Sequence, residues 1–109
     1  MSKRRPPLTV TSHGLRRWRQ RTHLPPDALG LAWHRALYCG HARVWRPSLR
    51  HGYRTQTVYG YRVGADWVLL VRYAEAGAPG QRWVLVSCWP WRWWARVLAA
   101  TGQAVAEEG

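Results

Sequence analysis

Residues 12–40 restrict the fold most strongly, because they contain two amphipathic helical patterns of opposite character separated by a proline pair. The first pattern is cationic on one side, where basic residues recur at four-residue spacing: His13, Arg17 and Arg21. Leu15 and Trp18 fall on the other side of the same helix. We therefore expect the basic stripe to face solvent and the apolar pair to face the core.

The second pattern is that of a helix with one apolar face. Its apolar residues follow the spacing i, i+3, i+4, i+7 and i+8: Leu29, Ala32, Trp33, Ala36 and Leu37. Pro26 fits the first helical position, Asp27 is favourable beside the positive helix end, and Gly40 is suited to ending the helix. In the first helix, Thr11 or Ser12 can act as the cap, and Gly14 lowers helical stability.

After Gly40 the sequence changes to alternating and β-branched runs separated by turn residues. Four strands are predicted, at His41–Trp45, Thr55–Val63, Trp67–Tyr73 and Arg82–Trp89. Gly64–Asp66 is the tightest turn, Ala76–Gly80 is a predicted hairpin loop, and Trp91–Ala100 is a predicted final helix after Pro90. Because the links between strands are short, the predicted fold class is α+β: two N-terminal helices on one face of a four-stranded antiparallel sheet, with a short C-terminal helix.

A chain of 109 residues is long enough for one domain and too short for two, so we predict a single domain over 1–109. Its ordered part is expected at about residues 8–100, with flexible ends at 1–7 and 101–109. The predicted core contains Leu29, Trp33, Leu37, Val84 and Val86. On the last strand, Val84, Val86 and Cys88 are expected to pack under the second helix, opposite Trp83, Leu85, Ser87 and Trp89.

The formal net charge of +12 comes from 17 basic and 5 acidic residues, and most of the basic ones are Arg. Arg binds phosphate through a planar fork that Lys lacks, so nucleic acid or another polyanion is the expected partner. A solvated basic surface that reflects only a compositional bias is the alternative. The sequence shows neither a signal peptide nor an apolar run of membrane-spanning length, which predicts a cytoplasmic protein. Cys39 and Cys88 are expected to be buried free thiols.

Several segments together resemble the RelE/ParE-like toxin superfamily. They are a short strand with a helix start at Thr9–Gly14, the basic pair Arg17 and Arg21, the segment Leu24–Leu29, Gly40, and a closing strand at Val84–Pro90. The resemblance is to a poorly characterised branch with the motif His-Ala-x-x-Arg-x-x-x-Arg, and Gly14 stands where that branch usually has Ala. It covers roughly residues 8–90.

The resemblance implies a sheet face that binds RNA and, in active members, cuts it without metal. The substrate's own 2′-hydroxyl attacks the phosphate, which calls for a base, an acid and a cation. It also implies an acidic antitoxin or inhibitor protein, or a ribosome, as partners. His13, with Arg17 and Arg21, is the catalytic candidate from the motif.

The residues themselves point to a second cluster, in the segment 46–54, which combines one His, one Tyr and three Arg. This segment adds His51 and Tyr53 to the catalytic candidates. With His13 from the motif and Arg72 from the strand Trp67–Tyr73 as the phosphate clamp, the catalytic candidates are His51, Tyr53, Arg72 and His13. Six Arg are the candidates for nucleic-acid binding: Arg17, Arg21, Arg46, Arg50, Arg54 and Arg62.

Other classes of function fit the sequence less well. His34, Cys39 and His41 match no established metal-ligand spacing, and no phosphate-loop or dinucleotide motif is present, so neither a metal nor a cofactor is expected. A non-enzymatic nucleic-acid-binding module and a protein inhibitor of a nucleic-acid machine remain alternatives. The Trp- and Arg-rich segment 89–98 fits a membrane interface or the stacking of single-stranded bases. Its simplest interpretation is that Trp91, Trp94 and Leu98 pack the last helix on the sheet and leave Trp93 exposed.

Overall fold

The computed structural model describes residues 7–48, 52–74 and 83–101, with backbone alone at 45–48 and 52–55. Its elements in chain order are β1 (Leu8–Val10), α1 (Ser12–Thr22), α2 (Asp27–Arg35), β2 (Leu37–Ser48), β3 (Gly52–Val63), β4 (Trp67–Tyr73), β5 (Trp83–Pro90) and α3 (Trp91–Ala100). The strand order in the sheet is β1-β5-β4-β3-β2. β1 runs parallel to β5, and the other neighbouring strands are antiparallel.

The α+β class is confirmed, but the prediction of four strands is wrong, because the described residues form five. The additional strand β1 pairs with the start of β5. Its three residues are too few for an alternating pattern to reveal, and only the resemblance indicated a short strand before the helix start. β2 and β3 extend beyond their predicted bounds, to Leu37–Ser48 and Gly52–Val63. The predicted loop Ala76–Gly80 lies outside the described residues, and so do the predicted flexible ends, apart from Pro7 and Thr101.

The predicted end of the second helix is also wrong. α2 ends at Arg35, and Ala36 already has an extended backbone with φ −66° and ψ 146°. Leu37 begins β2 and is 72% exposed, so the prediction that it belongs to the core is wrong. Gly40 has a φ of 101° and lies where the pairing of β2 with β3 shifts between Tyr38 and His41, so its glycine serves a strand irregularity instead of a helix end.

Helices cover both faces of the sheet. α1 and α2 bury Trp18, Leu29 and Trp33 against one face, which we call the α1/α2 face. α3 buries Trp94 and Leu98 against the other face, which we call the α3 face, so the predicted packing of the last helix is confirmed. Trp93 is 40% exposed, as expected. Among the described residues, no helix combines the length and the apolar character needed to cross a membrane.

The predicted faces of the last strand are wrong in two respects. Leu85 packs on the α1/α2 face, whereas Val84 and Val86 lie on the α3 face, so the set expected under the second helix is the opposite one. In addition, β5 contains an irregularity that changes the alternation after Leu85. Leu70 pairs with Ser87 and Val71 pairs with Leu85, so Val86 is an extra residue on β5. An extra residue reverses the alternation of side chains beyond it. Cys88 consequently packs on the same α1/α2 face as Leu85, although strict alternation would separate the two.

Candidate functional site

The position of α1 along the edge of β5 determines where its basic residues lie. Thr11 caps the helix, since its Oγ1 accepts a hydrogen bond from the Gly14 N–H at 2.9 Å and donates one to the Leu85 carbonyl at 3.0 Å. Gly14 is buried against that carbonyl, and a Cβ at this position would lie 2.6 Å from the Leu85 oxygen. Glycine is therefore required by the close approach of helix and strand, and His13 is held beside β5.

Arg21 closes the other end of this contact. Its Nη1 donates a hydrogen bond of 2.5 Å to the Cys88 carbonyl and lies 3.5 Å from the Ser87 Oγ. Its guanidinium carbon is 5.0 Å from the ring centroid of Trp93 in α3. Burial lowers the pKa of Arg21, and the nearby positive charge of Arg17 lowers it further. The expectation that the whole basic stripe faces solvent is thus wrong at Arg21, which ties α1 to the sheet edge.

A groove of about 620 Å³ opens on the α3 face, and it brings together side chains from α1, β2, β3, β4 and β5. Its polar lining residues are Thr11, His13, Gln56, Arg72 and Ser87. Its apolar lining consists of Val44, Val58, Leu70, Val84, Leu85, Val86 and Trp89. Two of the four catalytic candidates, His13 and Arg72, therefore lie in one groove although they are far apart in sequence.

The groove combines three kinds of chemistry. His13 is exposed and supplies an imidazole, the side chain that most often serves as a general acid or base. Arg72 is half-buried and supplies a guanidinium that can pair with a phosphate through two parallel hydrogen bonds. The half-buried ring of Trp89 and the valines supply an apolar wall for a base or a sugar.

The remaining Arg candidates occupy different surroundings. Arg17 Nη1 donates a hydrogen bond of 3.2 Å to Gln20 Oε1 on the same helix. Arg62 lies outside the groove: its guanidinium carbon is 3.8 Å from the ring centroid of Trp91, and its Nη2 donates to the Ala65 carbonyl at 2.8 Å. The two contacts of Arg62 hold the turn between β3 and β4 against the start of α3.

Arg50 and His51 lie outside the described residues, so the structure gives them no position. The backbone places Arg46 opposite Arg54 in the pairing of β2 with β3, and Tyr53 opposite Pro47. The Arg46–Arg54 pair is two residues beyond the Val44–Gln56 pair, both members of which line the groove. The backbone at residues 46–48 and 52–54 therefore continues the two strands that form one wall of the groove.

The two thiols are unsuited to nucleophilic chemistry. Both are free and buried, as predicted. Burial raises the pKa of Cys39 to about 11 and that of Cys88 to about 12, which keeps both protonated at neutral pH. Within the described ranges, no three His, Cys, Asp or Glu side chains converge to hold a metal ion.

Thr11, Ser87 and Trp89 line the groove although the sequence did not identify them as site residues. Strict alternation places Val84 and Trp89 on opposite faces of β5, and only the extra residue Val86 brings both to the α3 face. The sequence offered one usable signal, which was the N-cap position of Thr11 next to His13.

No family model, curated protein or solved structure matches this chain.

Proposed function

We propose that this protein is an RNA-binding domain that cleaves RNA without a metal ion, and that the groove on the α3 face is its active site. The observation that carries the proposal is that His13 and Arg72, from α1 and β4, line one groove. The first belongs to the helix motif that resembles the RelE/ParE-like toxins, and the second is the candidate phosphate clamp on the middle strand. An acidic protein that neutralises the chain, action on ribosome-bound RNA and a cytoplasmic location belong to the same proposal.

The charge of the chain supports a polyanionic substrate. Its 17 basic residues exceed the 5 acidic ones more than threefold, and neither described carboxylate, Asp27 or Asp66, lines the groove. Such an excess attracts a phosphate backbone over long range and strengthens binding through the release of counterions. The backbone pairs Arg46 with Arg54 on β2 and β3, the two strands that form one wall of the groove.

The proposed reaction is an internal transfer of the phosphate. His13 accepts the proton of the 2′-hydroxyl, and the 2′-oxygen then forms a bond to the adjacent phosphorus. Arg72 binds the non-bridging oxygens and stabilises the negative charge that develops on them. The bond from phosphorus to the 5′-oxygen breaks, and that oxygen takes a proton from water, while the proton held on His13 neutralises the resulting hydroxide. The products are a 2′,3′-cyclic phosphate and a 5′-hydroxyl.

The test uses end-labelled RNA in the presence of EDTA, with and without ribosomes. We expect cleavage by the wild-type protein, and a loss of on the order of 100-fold or more for His13→Ala, in line with the usual contribution of a general base. Arg72→Ala should lose activity and Arg72→Lys should recover part of it, because Lys keeps the charge without the fork. The matched controls are His34→Ala and Arg35→Ala, two exposed residues of α2 that do not line the groove.

An RNA with a single 2′-deoxyribose at the cleaved position identifies the nucleophile, because it should resist cleavage there only. Cleavage that requires a divalent metal ion, or that His13→Ala leaves intact, would contradict the proposed mechanism. RNA that binds tightly but is never cut would instead identify the protein as a non-enzymatic binding module, since one fold can support either function.

A further inference from the structure

A second cluster of ring side chains lies on the α1/α2 face of the sheet, opposite the groove. We call it the aromatic surface and define it as His41, Tyr59, Tyr73 and Trp83. His41 is the pairing partner of Tyr59 across β2 and β3, and Tyr73 is the partner of Trp83 across β4 and β5. Four strands thus contribute one ring each to the same face.

The rings contact one another in a continuous series. The ring centroids of Tyr59 and Tyr73 lie 5.6 and 5.2 Å from that of Trp83, and both Tyr rings meet the Trp ring edge-on. The His41 ring is 5.8 Å from that of Tyr59, tilted by 41°. The Tyr38 hydroxyl lies 2.9 Å from His41 Nδ1, which fixes the orientation of the imidazole. These contacts limit the side-chain freedom that a ligand would otherwise have to remove.

The aromatic surface begins where α2 ends its coverage of the sheet. Trp33 of α2 packs edge-on against Tyr61, with ring centroids 4.8 Å apart. On the far side of that contact, Tyr73 is 41% exposed and His41 is exposed, whereas Tyr59 and Trp83 are half-buried. Arg43, two residues beyond His41 on the edge strand β2, is also exposed.

We propose that the aromatic surface binds unpaired bases of a single-stranded nucleic acid by stacking. The proposal deepens the proposed function and rests on it, because it assigns the unpaired part of the same RNA to a second face of the protein. Exposed rings on a sheet present flat apolar faces to bases, and every base has a face that can stack on them. Arg43 and His41 supply donors for the backbone phosphates beside the stacked bases.

Charge complementarity favours this occupant over an apolar protein segment. The exposed border of the surface carries Arg43 and His41, and neither Asp27 nor Asp66 belongs to it. Tyr rings also keep a polar hydroxyl at their tip, which suits a ligand with alternating apolar bases and charged phosphates. Stacking of this kind is tolerant of sequence, so the surface would bind unpaired RNA without selecting one base.

The experiment measures the affinity for a fluorescent oligothymidylate, which lacks the 2′-hydroxyl and cannot be cleaved by the proposed reaction. An abasic oligomer of the same length carries the same charge without bases. We expect Tyr73→Ala to weaken binding of the oligothymidylate by roughly fivefold or more while leaving the abasic oligomer unaffected. Tyr73→Phe should retain binding because it keeps the ring.

Trp93→Ala is the matched control, because Trp93 is 40% exposed against 41% for Tyr73 but belongs to α3 on the opposite face. It should leave the preference for bases unchanged. Arg72→Ala in the groove should weaken both oligomers equally, so failure of the aromatic surface is distinguishable from failure of the groove. The proposal is overturned if Tyr73→Ala and wild type show the same preference for bases. It is also overturned if Tyr73→Ala instead dissolves a dimer in sedimentation measurements, which would make the surface a protein interface.

Discussion

Replacing Gly14 by Ala should destabilise the protein, although the same change usually stabilises a helix. An Ala inside a helix is favoured over Gly by about 1 kcal/mol. At Gly14, however, the added Cβ would lie 2.6 Å from the Leu85 carbonyl oxygen, 3.0 Å from Thr11 Oγ1 and 3.1 Å from Leu85 Cγ. The closest of these atoms belongs to the backbone of β5, which cannot rotate away, so α1 has to move off the strand.

The expected magnitude follows from what that movement breaks. Overpacking of a close contact costs about 1–3 kcal/mol. The displacement also lengthens the hydrogen bonds from Thr11 to Leu85 and from Arg21 to Cys88, each worth about 1 kcal/mol. After subtraction of the helical gain of about 1 kcal/mol, the free energy of unfolding should fall by about 2–4 kcal/mol.

Urea unfolding followed by Trp fluorescence measures this change, and Gly30 provides the control. Gly30 lies in α2, is exposed, and would place a Cβ with nothing within 4 Å. Gly30→Ala should therefore raise the free energy of unfolding by about 0.5–1 kcal/mol. Opposite signs at the two glycines are the expected result. If Gly14→Ala proved as stable as the wild type or more so, the close approach of α1 to β5, and with it the placement of His13 in the groove, would be refuted.

Three further outcomes are expected. Trp33→Ala should lower the free energy of unfolding by about 3–5 kcal/mol, because Trp33 is 3% exposed. Leu31 lies on the same helix but is 55% exposed, so Leu31→Ala should change the free energy of unfolding by less than about 0.5 kcal/mol. Comparable effects of the two substitutions would place α2 away from the core. RNA affinity measured by fluorescence anisotropy should fall steeply with salt, and Arg72→Ala should reduce that slope by about one; a flat salt dependence would contradict phosphate binding. Burial raises the pKa of Cys88 to about 12, whereas the unfolded thiol has its ordinary pKa of 9.0. Between these values the folded state keeps a proton that the unfolded state releases, so the free energy of unfolding should fall as pH rises from about 9 to 12. Cys88→Ala should remove that part of the decline in urea midpoint, and an unchanged decline would show that other groups cause it.

Local patterns in the sequence predicted the helices and most of the sheet. The spacing of Leu15 and Trp18 placed α1 against the core, and Pro90 followed by Trp91, Trp94 and Leu98 predicted α3 with its bounds Trp91–Ala100. These features depend on residues within a few turns of one another, where side-chain periodicity and helix termini act directly. The free, buried state of both thiols also followed from composition and spacing.

Interactions between distant segments decided the rest. A strand of three residues, β1, forms only because the start of β5 offers it a partner. The end of α2 at Arg35 was missed because the residues from Leu37 pair with β3, and this pairing overrides a helical pattern that continues to Leu37. Arg21 looked like a solvent-facing charge in the sequence, since nothing local shows that the Cys88 carbonyl lies at its tip.

The candidate site shows the same division. The sequence by itself determined that the chain carries a large excess of Arg, and it singled out both His13 and Arg72 as candidates. It could not show that the two lie in one groove, because that depends on Gly14 letting α1 approach β5. Side-chain chemistry is a property of each residue, whereas convergence at a site depends on register and close packing between strands far apart in the chain.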